Sequence, residues 1–441
     1  MGRRRRRRRT AQIPISSEEA GENQESEWQI PPIQYILNLP YHLIMDILSR
    51  LPMKTLLSCR CVCKTWQNLL SDPQFAQLHV ERSPLSLLLK TLHPTRQSRI
   101  LHLFDLQGAN TRNRDAKLKL TSRGNLPEVK FRLVNSFNGL LCLCELETLD
   151  PVYVCNPILG EYITLAKVGK GLKRVVGSGF GFSHESNQYK VIRVSVEGLR
   201  PYEAEIYTLG EGTWRSIGNV PYSMPGISSF NSFLNGALHW VANDGTSPDY
   251  MRSFHFGSEQ FRAIPAPAQF GSREEAFVNY IHVGVLEGCL YVCDCSHSEH
   301  IDLWIMKNYG VKESWTKDLV IANLIFERSP LDFYEPIMIL RNGGILMLFN
   351  EDSLVLYSFK TEQFRFLSIF GVRSEFHAIA LVPSFVSLKE VAKGEILKSL
   401  SSEDFSSQRL MSIARNCLAE NGHSKKCWAE QPKVGEKKSE A

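Results

Sequence analysis

Two hydrophobic rhythms divide the chain. From Leu37 to Leu78 apolar residues recur at helical spacing, at Leu43, Ile47 and Leu51 with Ile44 and Leu48 beside them. Asn38 reads as an N-cap and Pro40 falls in a first turn that tolerates it, while Pro52 stops the helix. A second turn and helix pass through Leu56 and Leu57. A third apolar run carries Val62, Trp66, Leu69 and Leu70 before Asp72-Pro73 closes it. Three short helices in about forty residues make a core too small to satisfy itself. The segment therefore predicts a plug whose apolar face is covered by a partner.

Beyond Pro84 the helical period disappears, and short apolar or alternating runs punctuated by Gly, Asn and Pro predict an all-β region to about Leu388. This region repeats. Asn138-Gly139, Asn187-Gln188, Asn235-Gly236, Glu287-Gly288 and Gly343-Gly344 each lead into an apolar strand, at intervals of 49, 48, 52 and 56 residues. A second marker keeps the same beat: Tyr162, Trp214, Phe261, Trp315 and Phe364 each follow a polar turn, 52, 47, 54 and 49 residues apart. A period of about 50 residues is that of a kelch-like propeller blade, with room for four strands. Five such units lie between Val129 and Phe370. A sixth is expected to be composite, with Leu85 to Leu89 and Arg99 to Leu106 pairing with Phe376 to Val386 to close the ring and hide its edges. The repeat aromatics are expected to pack blade against blade rather than line a ligand pocket.

Several runs carry a family resemblance. Leu39-Pro40, Ile47-Leu48, Arg50-Leu51-Pro52, Arg60-Cys61-Val62-Cys63-Lys64, Trp66 and Asp72-Pro73-Gln74-Phe75 resemble the F-box in the form common in plants. Tyr41, His42 and Met45 depart from it, standing where the family often has acidic residues, although Asp46 remains. The region from Phe131 to Val382 resembles the F-box-associated domain, which is related to kelch propellers. Asn156-Pro157 with Tyr162, Gly179-Phe180-Gly181-Phe182, Asn187 to Val191, Trp214-Arg215, Leu234 to Trp240 and Ser253 to Phe256 carry that likeness. The expected fold is α+β multidomain: a three-helix F-box over 33–80, then an all-β kelch-like propeller of about six blades over 84–388. Residues 1–32 read as a disordered tail, Arg-rich then acidic, and 389–441 as a polar tail with one short helix at Glu403 to Leu418.

Charge changes the picture less than the total suggests. The formal net charge is +5, but without Arg3 to Arg9 there remain 44 basic against 46 acidic residues. A near-neutral body lacks the basic face of a nucleic-acid binder. The Arg tract could also serve nuclear import. No apolar run approaches the roughly 20 residues of a membrane span, and the Arg-rich start is not the pattern of a secretory signal. Eleven cysteines and no Asn-x-Ser/Thr sequon fit reduced, packed thiols in a protein of the cytoplasm, the nucleus or both.

Candidate chemistry is sparse. There is no GxSxG, GxxxxGK[ST] or HExxH motif, and Gly177 to Gly181 lacks the third glycine of a dinucleotide loop and reads as a tight turn into a strand. Cys293, Cys295, His297 and His300 have the residue types of a zinc site, but Cys-x-Cys on one strand lacks the usual ligand spacing. An inward cysteine pair followed by a polar turn is expected instead, with no metal and no cofactor. His239 reads as structural. The resemblance implies a non-catalytic substrate receptor of an SCF (Skp–cullin–F-box) ubiquitin ligase. Its Skp-type adaptor would meet Leu39, Pro40, Leu43, Ile47, Leu48, Leu51, Pro52, Leu56, Val62, Cys63, Lys64, Trp66 and Leu69, Lys64 as a rim contact. A cullin scaffold would follow through the adaptor, and a target protein would meet the propeller loops. The rival readings are a propeller interaction protein outside a ligase and a glycan-binding propeller.

Overall fold

The computed structural model describes residues 39–91, 100–106, 117–121, 131–167, 173–221, 232–242, 250–268, 280–297, 299–322, 332–350, 352–367, 376–393 and 398–399. The Arg tract, Asn38, the acidic stretch and the helix expected at Glu403 to Leu418 lie outside these residues. Among the described residues no helix is long and apolar enough to cross a membrane.

Four helices open the described chain: α1 (Tyr41–Ser49), α2 (Met53–Cys59), α3 (Lys64–Leu70) and α4 (Pro73–Arg82). The first three stand where the apolar period puts them. Asp72-Pro73 closes α3 and also begins α4, because the Asp72 carboxylate accepts the Gln74 amide at 2.7 Å and Pro73 supplies a first turn that needs no N–H.

Six antiparallel sheets follow, and they are the blades of a propeller. Blade I is composite: β24 (Phe376–Leu381) pairs with β1 (Ser86–Thr91), which continues into β2 (Ile100–Phe104) and β3 (Lys117–Thr121). Blade II holds β4 (Phe131–Phe137), β5 (Leu140–Glu145), β6 (Val152–Asn156) and β7 (Glu161–Thr164). Blade III holds β8 (Lys173–Ser183), β9 (Gln188–Glu197), β10 (Glu203–Thr208) and β11 (Trp214–Asn219). Blade IV holds β12 (Ser232–Leu234), β13 (Ala237–Val241), β14 (Met251–His255) and β15 (Gln260–Ile264). Blade V holds β16 (Ile281–Leu286), β17 (Cys289–Asp294), β18 (Ile301–Met306) and β19 (Trp315–Ile321). Blade VI holds β20 (Tyr334–Ile339), β21 (Ile345–Phe349), β22 (Ser353–Ser358) and β23 (Gln363–Leu367). The tail after Leu388 is not wholly apart from this body: α5 (Leu388–Val391) follows, and β25 (Lys398–Ser399) pairs with β7 as a fifth strand of blade II.

Both periodic markers have a geometric cause. The Asn-Gly and Glu-Gly pairs turn the first strand of a blade into the second, with φ of 50° and 77° at Asn138-Gly139, 49° and 75° at Asn235-Gly236, and 47° and 77° at Glu287-Gly288. Two successive left-handed residues are what a two-residue hairpin matched to strand twist requires. The aromatics begin the fourth strands and sit in register with the third, as in Tyr207 opposite Trp214, Phe254 opposite Phe261 and Tyr357 opposite Phe364. Trp214 donates its indole N–H to the Ala166 carbonyl at 2.7 Å and Trp315 to that of Pro265 at 2.8 Å, each just past the last strand of the preceding blade. Blade-to-blade packing is thus the role of these rings.

Gly181 belongs to the same logic. It lies inside β8, beyond a bulge at Val175/Gly177, and not at a turn into the strand. A Cβ there would meet Phe256 at 2.2 Å and Phe233 at 2.5 Å, so the glycine lets rings of blade IV close onto blade III.

Apolar clusters fill the II/III, III/IV, IV/V, V/VI and VI/I junctions. At the I/II junction the described ties are polar. Ser136 Oγ donates to the Ala380 carbonyl at 3.0 Å, Ser384 Oγ to that of Asn138 at 2.6 Å, and Asn156 Nδ2 to those of Ser384 and Val386 at 3.1 and 2.7 Å.

Burial also sets an acid response. His79 on α4, His239 on β13 and His377 on β24 are each lowered by burial from 6.5 to about 4, His377 with added repulsion from Lys90 and Arg132. Between those values the unfolded chain binds protons that the folded chain refuses, so stability must fall as pH drops from 6.5 towards 4. Melting temperature followed across that window is expected to decline steadily, and less steeply in a His79→Gln variant. A flat profile would contradict the burial of these rings.

Candidate functional site

The helical segment separates the proposed contact residues into two sets. Leu39, Leu43, Ile47 and Val62 are exposed by 37%, 42%, 47% and 47%, large values for such side chains. Leu43 and Ile47 stand four residues apart on α1 and so share a face. Pro40, Pro52 and Lys64 are exposed, and Leu51 and Cys63 are half-buried. Leu48, Leu56, Trp66 and Leu69, by contrast, are buried. These four build the core that holds the helices together, and a partner cannot reach them without prising the segment open. Tyr41, one of the departures from the plant F-box pattern, is exposed by 48% and adds an aromatic ring to the open surface of α1.

Asp46 is not free to meet a partner's cation. Arg50 Nε donates to it at 3.1 Å and Arg82 Nη1 at 2.5 Å, the latter also reaching Ser49 Oγ at 2.8 Å. Hydrogen bonds from Arg50 and then Arg82 hold its carboxyl below the usual carboxylate range. This acid fastens α1 to α4. The other end of the linkage is aromatic: Phe75 and His79 on α4 meet Phe385, which follows β24, with ring centroids 6.0 and 5.6 Å apart. Ser83 Oγ lies 3.0 Å from the His79 ring nitrogens. Helix α4 is therefore seated on the segment that follows the closing strand β24, through Phe75 and Phe385 at 0% and 2% exposure.

In the propeller the first strands surround a cavity of about 590 Å³. Asn135, Phe233, His282, Glu335 and Ala378 line it from five blades, together with Pro84 and Leu85 ahead of β1. His282 Nε2 is 3.3 Å from Glu335 Oε1 and its Nδ1 is 3.0 Å from the Tyr291 hydroxyl, which donates to the Pro336 carbonyl at 2.6 Å. Burial would raise Glu335, but the attraction of His282 and His377 outweighs it and keeps the carboxyl low. The sequence reading missed these residues, since β16 and β17 of blade V and β20 of blade VI bring them together and no local motif marks them.

The four residues weighed as a zinc set do not converge. Cys293 and Cys295 are buried at 0% and 2%, with sulfurs 3.8 Å apart and each 3.6 Å from the Tyr334 carbonyl. His297 and His300 stack on one another at 4.4 Å, beside Asp302. Alternation along β17 separates the two pairs, because Asp294 between the cysteines faces the opposite way. The expected packing of the thiols holds elsewhere too: burial pushes Cys144 and Cys155 up to about 12, leaving them as thiols.

The structure is thus a helical segment with exposed apolar side chains, followed by a six-bladed propeller. The F-box domain family matches residues 36–78, and the F-box associated beta propeller domain family matches residues 91–387. The chain belongs to the F-box proteins that carry this propeller. An F-box protein of Arabidopsis thaliana is 30% identical over 386 residues, covering 78% of this chain and 90% of the relative. An F-box/kelch-repeat protein of the same plant is 26% identical, covering 75% and 90%. The F-box protein CPR1, also from Arabidopsis thaliana, is 26% identical, covering 79% and 88%.

Proposed function

We propose that this protein is the substrate-recognition subunit of an SCF ubiquitin ligase. Its F-box would dock on a Skp-type adaptor and, through it, a cullin scaffold, while the propeller binds a target protein. The observation that carries this reading is the exposure of the apolar side chains Leu39, Leu43, Ile47 and Val62 in a segment whose core is Leu48, Leu56, Trp66 and Leu69. Solvent-facing leucine and isoleucine on one short helix are a cost that a partner removes. The protein then supplies no reacting group. It raises the effective concentration of a target lysine near the charged conjugating enzyme. The seating of α4 on Phe385 supports this role, since a fixed joint keeps that distance defined.

Affinity purification of the full chain beside a Leu39→Ala, Pro40→Ala variant tests the proposal. The wild type is expected to bring down adaptor and cullin, and the variant neither, while partners held by the propeller are kept by both. Adaptor retained in full by the variant would refute the docking role. Adaptor without cullin in the wild type would favour a function outside a ligase.

A further inference from the structure

The end of blade V carries a group of side chains that adaptor docking and propeller closure leave unused. Asp294, the last residue of β17, and Asp302, near the start of β18, are direct cross-strand partners. Their side chains are 1% and 4% exposed. Like charges placed opposite one another in a sheet repel, and burial strengthens the repulsion. Lys317 answers part of it, its Nζ lying 2.6 Å from Asp302 Oδ2. Among the described residues Asp302 Oδ1 is buried with no hydrogen-bond partner. It faces His300 Nε2 at 3.5 Å. His297 Nε2 stands 3.7 Å from Asp294 Oδ2 and 3.9 Å from Asp302 Oδ2.

We propose that His297, His300 and Asp302 form a binding site for a divalent transition cation of the zinc class, with Asp294 beside it. One ligand atom from each of the three lies within 4.8 Å of the others. Zinc bonds of about 2.0–2.2 Å place tetrahedral ligand atoms about 3.3–3.6 Å apart, so the three donors must draw together, and the His297 and His300 rings, stacked with planes 14° apart, must turn to aim both lone pairs at one ion. Two imidazoles and one carboxylate are a donor set suited to such cations, and too poor in oxygen for calcium or magnesium. The ligands also sit as an entry path requires. The imidazoles are 36% and 32% exposed at the mouth, and the carboxylate lies behind them. Lys317 occupies Oδ2 and so leaves Oδ1 as the donor.

A bound cation would set a positive charge between the two aspartates and tie the β17–β18 connection to the end of its blade. That connection lies at the opposite end of the β17 strand from the Glu287-Gly288 hairpin. The cysteines take no part, since they are buried against Tyr334 on the other face of the strand.

The test is calorimetric titration of chelator-treated full-length protein with zinc chloride, paired with cobalt(II) absorption spectroscopy. One saturable equivalent is expected. His297→Ala and His300→Ala are each expected to weaken it by at least about tenfold, the lower end of what even an outer-shell partner contributes. Cys293→Ser is expected to leave it intact, and the cobalt spectrum should show visible bands without a thiolate charge-transfer band. Melting curves without metal should match wild type for the histidine variants, because both rings sit at the surface. No saturable equivalent, binding unchanged by both histidine substitutions, or a thiolate–cobalt band would each overturn the assignment.

Discussion

Replacing Gly139 by alanine is expected to destabilise the propeller by several kcal/mol more than the same change at Gly288. The two glycines form a matched pair. Each is the second residue of the hairpin between the first two strands of a blade, and each has φ of +77°. An L-residue there costs about 1–2 kcal/mol from backbone sterics alone, and that cost is common to both. Their surroundings differ. Among the described residues a Cβ at Gly288 meets nothing within 4 Å, whereas at Gly139 it would meet Ser384 Oγ at 2.2 Å, Ser384 Cβ at 2.6 Å and the Val382 carbonyl oxygen at 2.7 Å. Two of those atoms cannot swing aside without moving backbone.

The backbone in question closes the ring. Ser384 donates to the Asn138 carbonyl, and Asn156 holds the carbonyls of Ser384 and Val386. Blades I and II meet along these polar ties, so displacing the segment strips donors from buried acceptors, at about 1–3 kcal/mol each. Urea unfolding of the two variants beside wild type measures the difference. Equal midpoints would mean that the closing segment does not depend on the Gly139 hairpin.

The double substitution Leu43→Asp, Ile47→Asp is expected to abolish adaptor binding with little change in melting temperature. Both side chains are already in water, at 42% and 47% exposure, so the isolated fold loses little when they become polar. Covering the part of each that is still exposed is worth about 0.7–1.4 kcal/mol. Losing both amounts to about 1.4–2.8 kcal/mol, or one to two orders of magnitude in Kd at about 1.4 kcal/mol per tenfold. Two buried aspartates would add a desolvation cost. Leu48→Ala is the contrasting variant. Leu48 is 2% exposed, so its loss opens a cavity worth about 2–5 kcal/mol and lowers the melting temperature. Purified adaptor titrated against each variant, with melting curves alongside, separates the two effects. Binding retained by the double aspartate variant would place the docking surface elsewhere.

Most of the architecture is legible along the chain, and for local reasons. Asn138-Gly139 and Asn235-Gly236 announce hairpins because few residues tolerate two left-handed positions in succession. Trp214 and Trp315 mark blade boundaries because each begins a fourth strand and reaches back one blade. The composite blade is legible as well, since a ring with unpaired edges needs its two chain ends to meet. Less legible is what Asp72-Pro73 does. A proline that ends one helix is also suited to begin the next, and the choice rests on whether the residues beyond it find a surface. Phe75 finds Phe385, which lies more than three hundred residues away in sequence.

The site residues show the same division. By itself the sequence determined the helical plug, a propeller of about six blades, the turn chemistry and the composite closure, because each is written in a short-range period or in a residue with restricted backbone freedom. Only the tertiary structure decided which apolar residues of the plug face solvent. Leu43, Ile47, Leu48 and Leu51 share one hydrophobic pattern, and the packing of α1 to α4 alone divides it into core and surface. It also decided that Asp46 is committed to Arg82, and that His282 meets Glu335 across the central cavity. It turned the two cysteines away from the two histidines and set Asp302 beside the latter instead. Strand pairing and blade packing bring such groups together from positions that no sequence window spans.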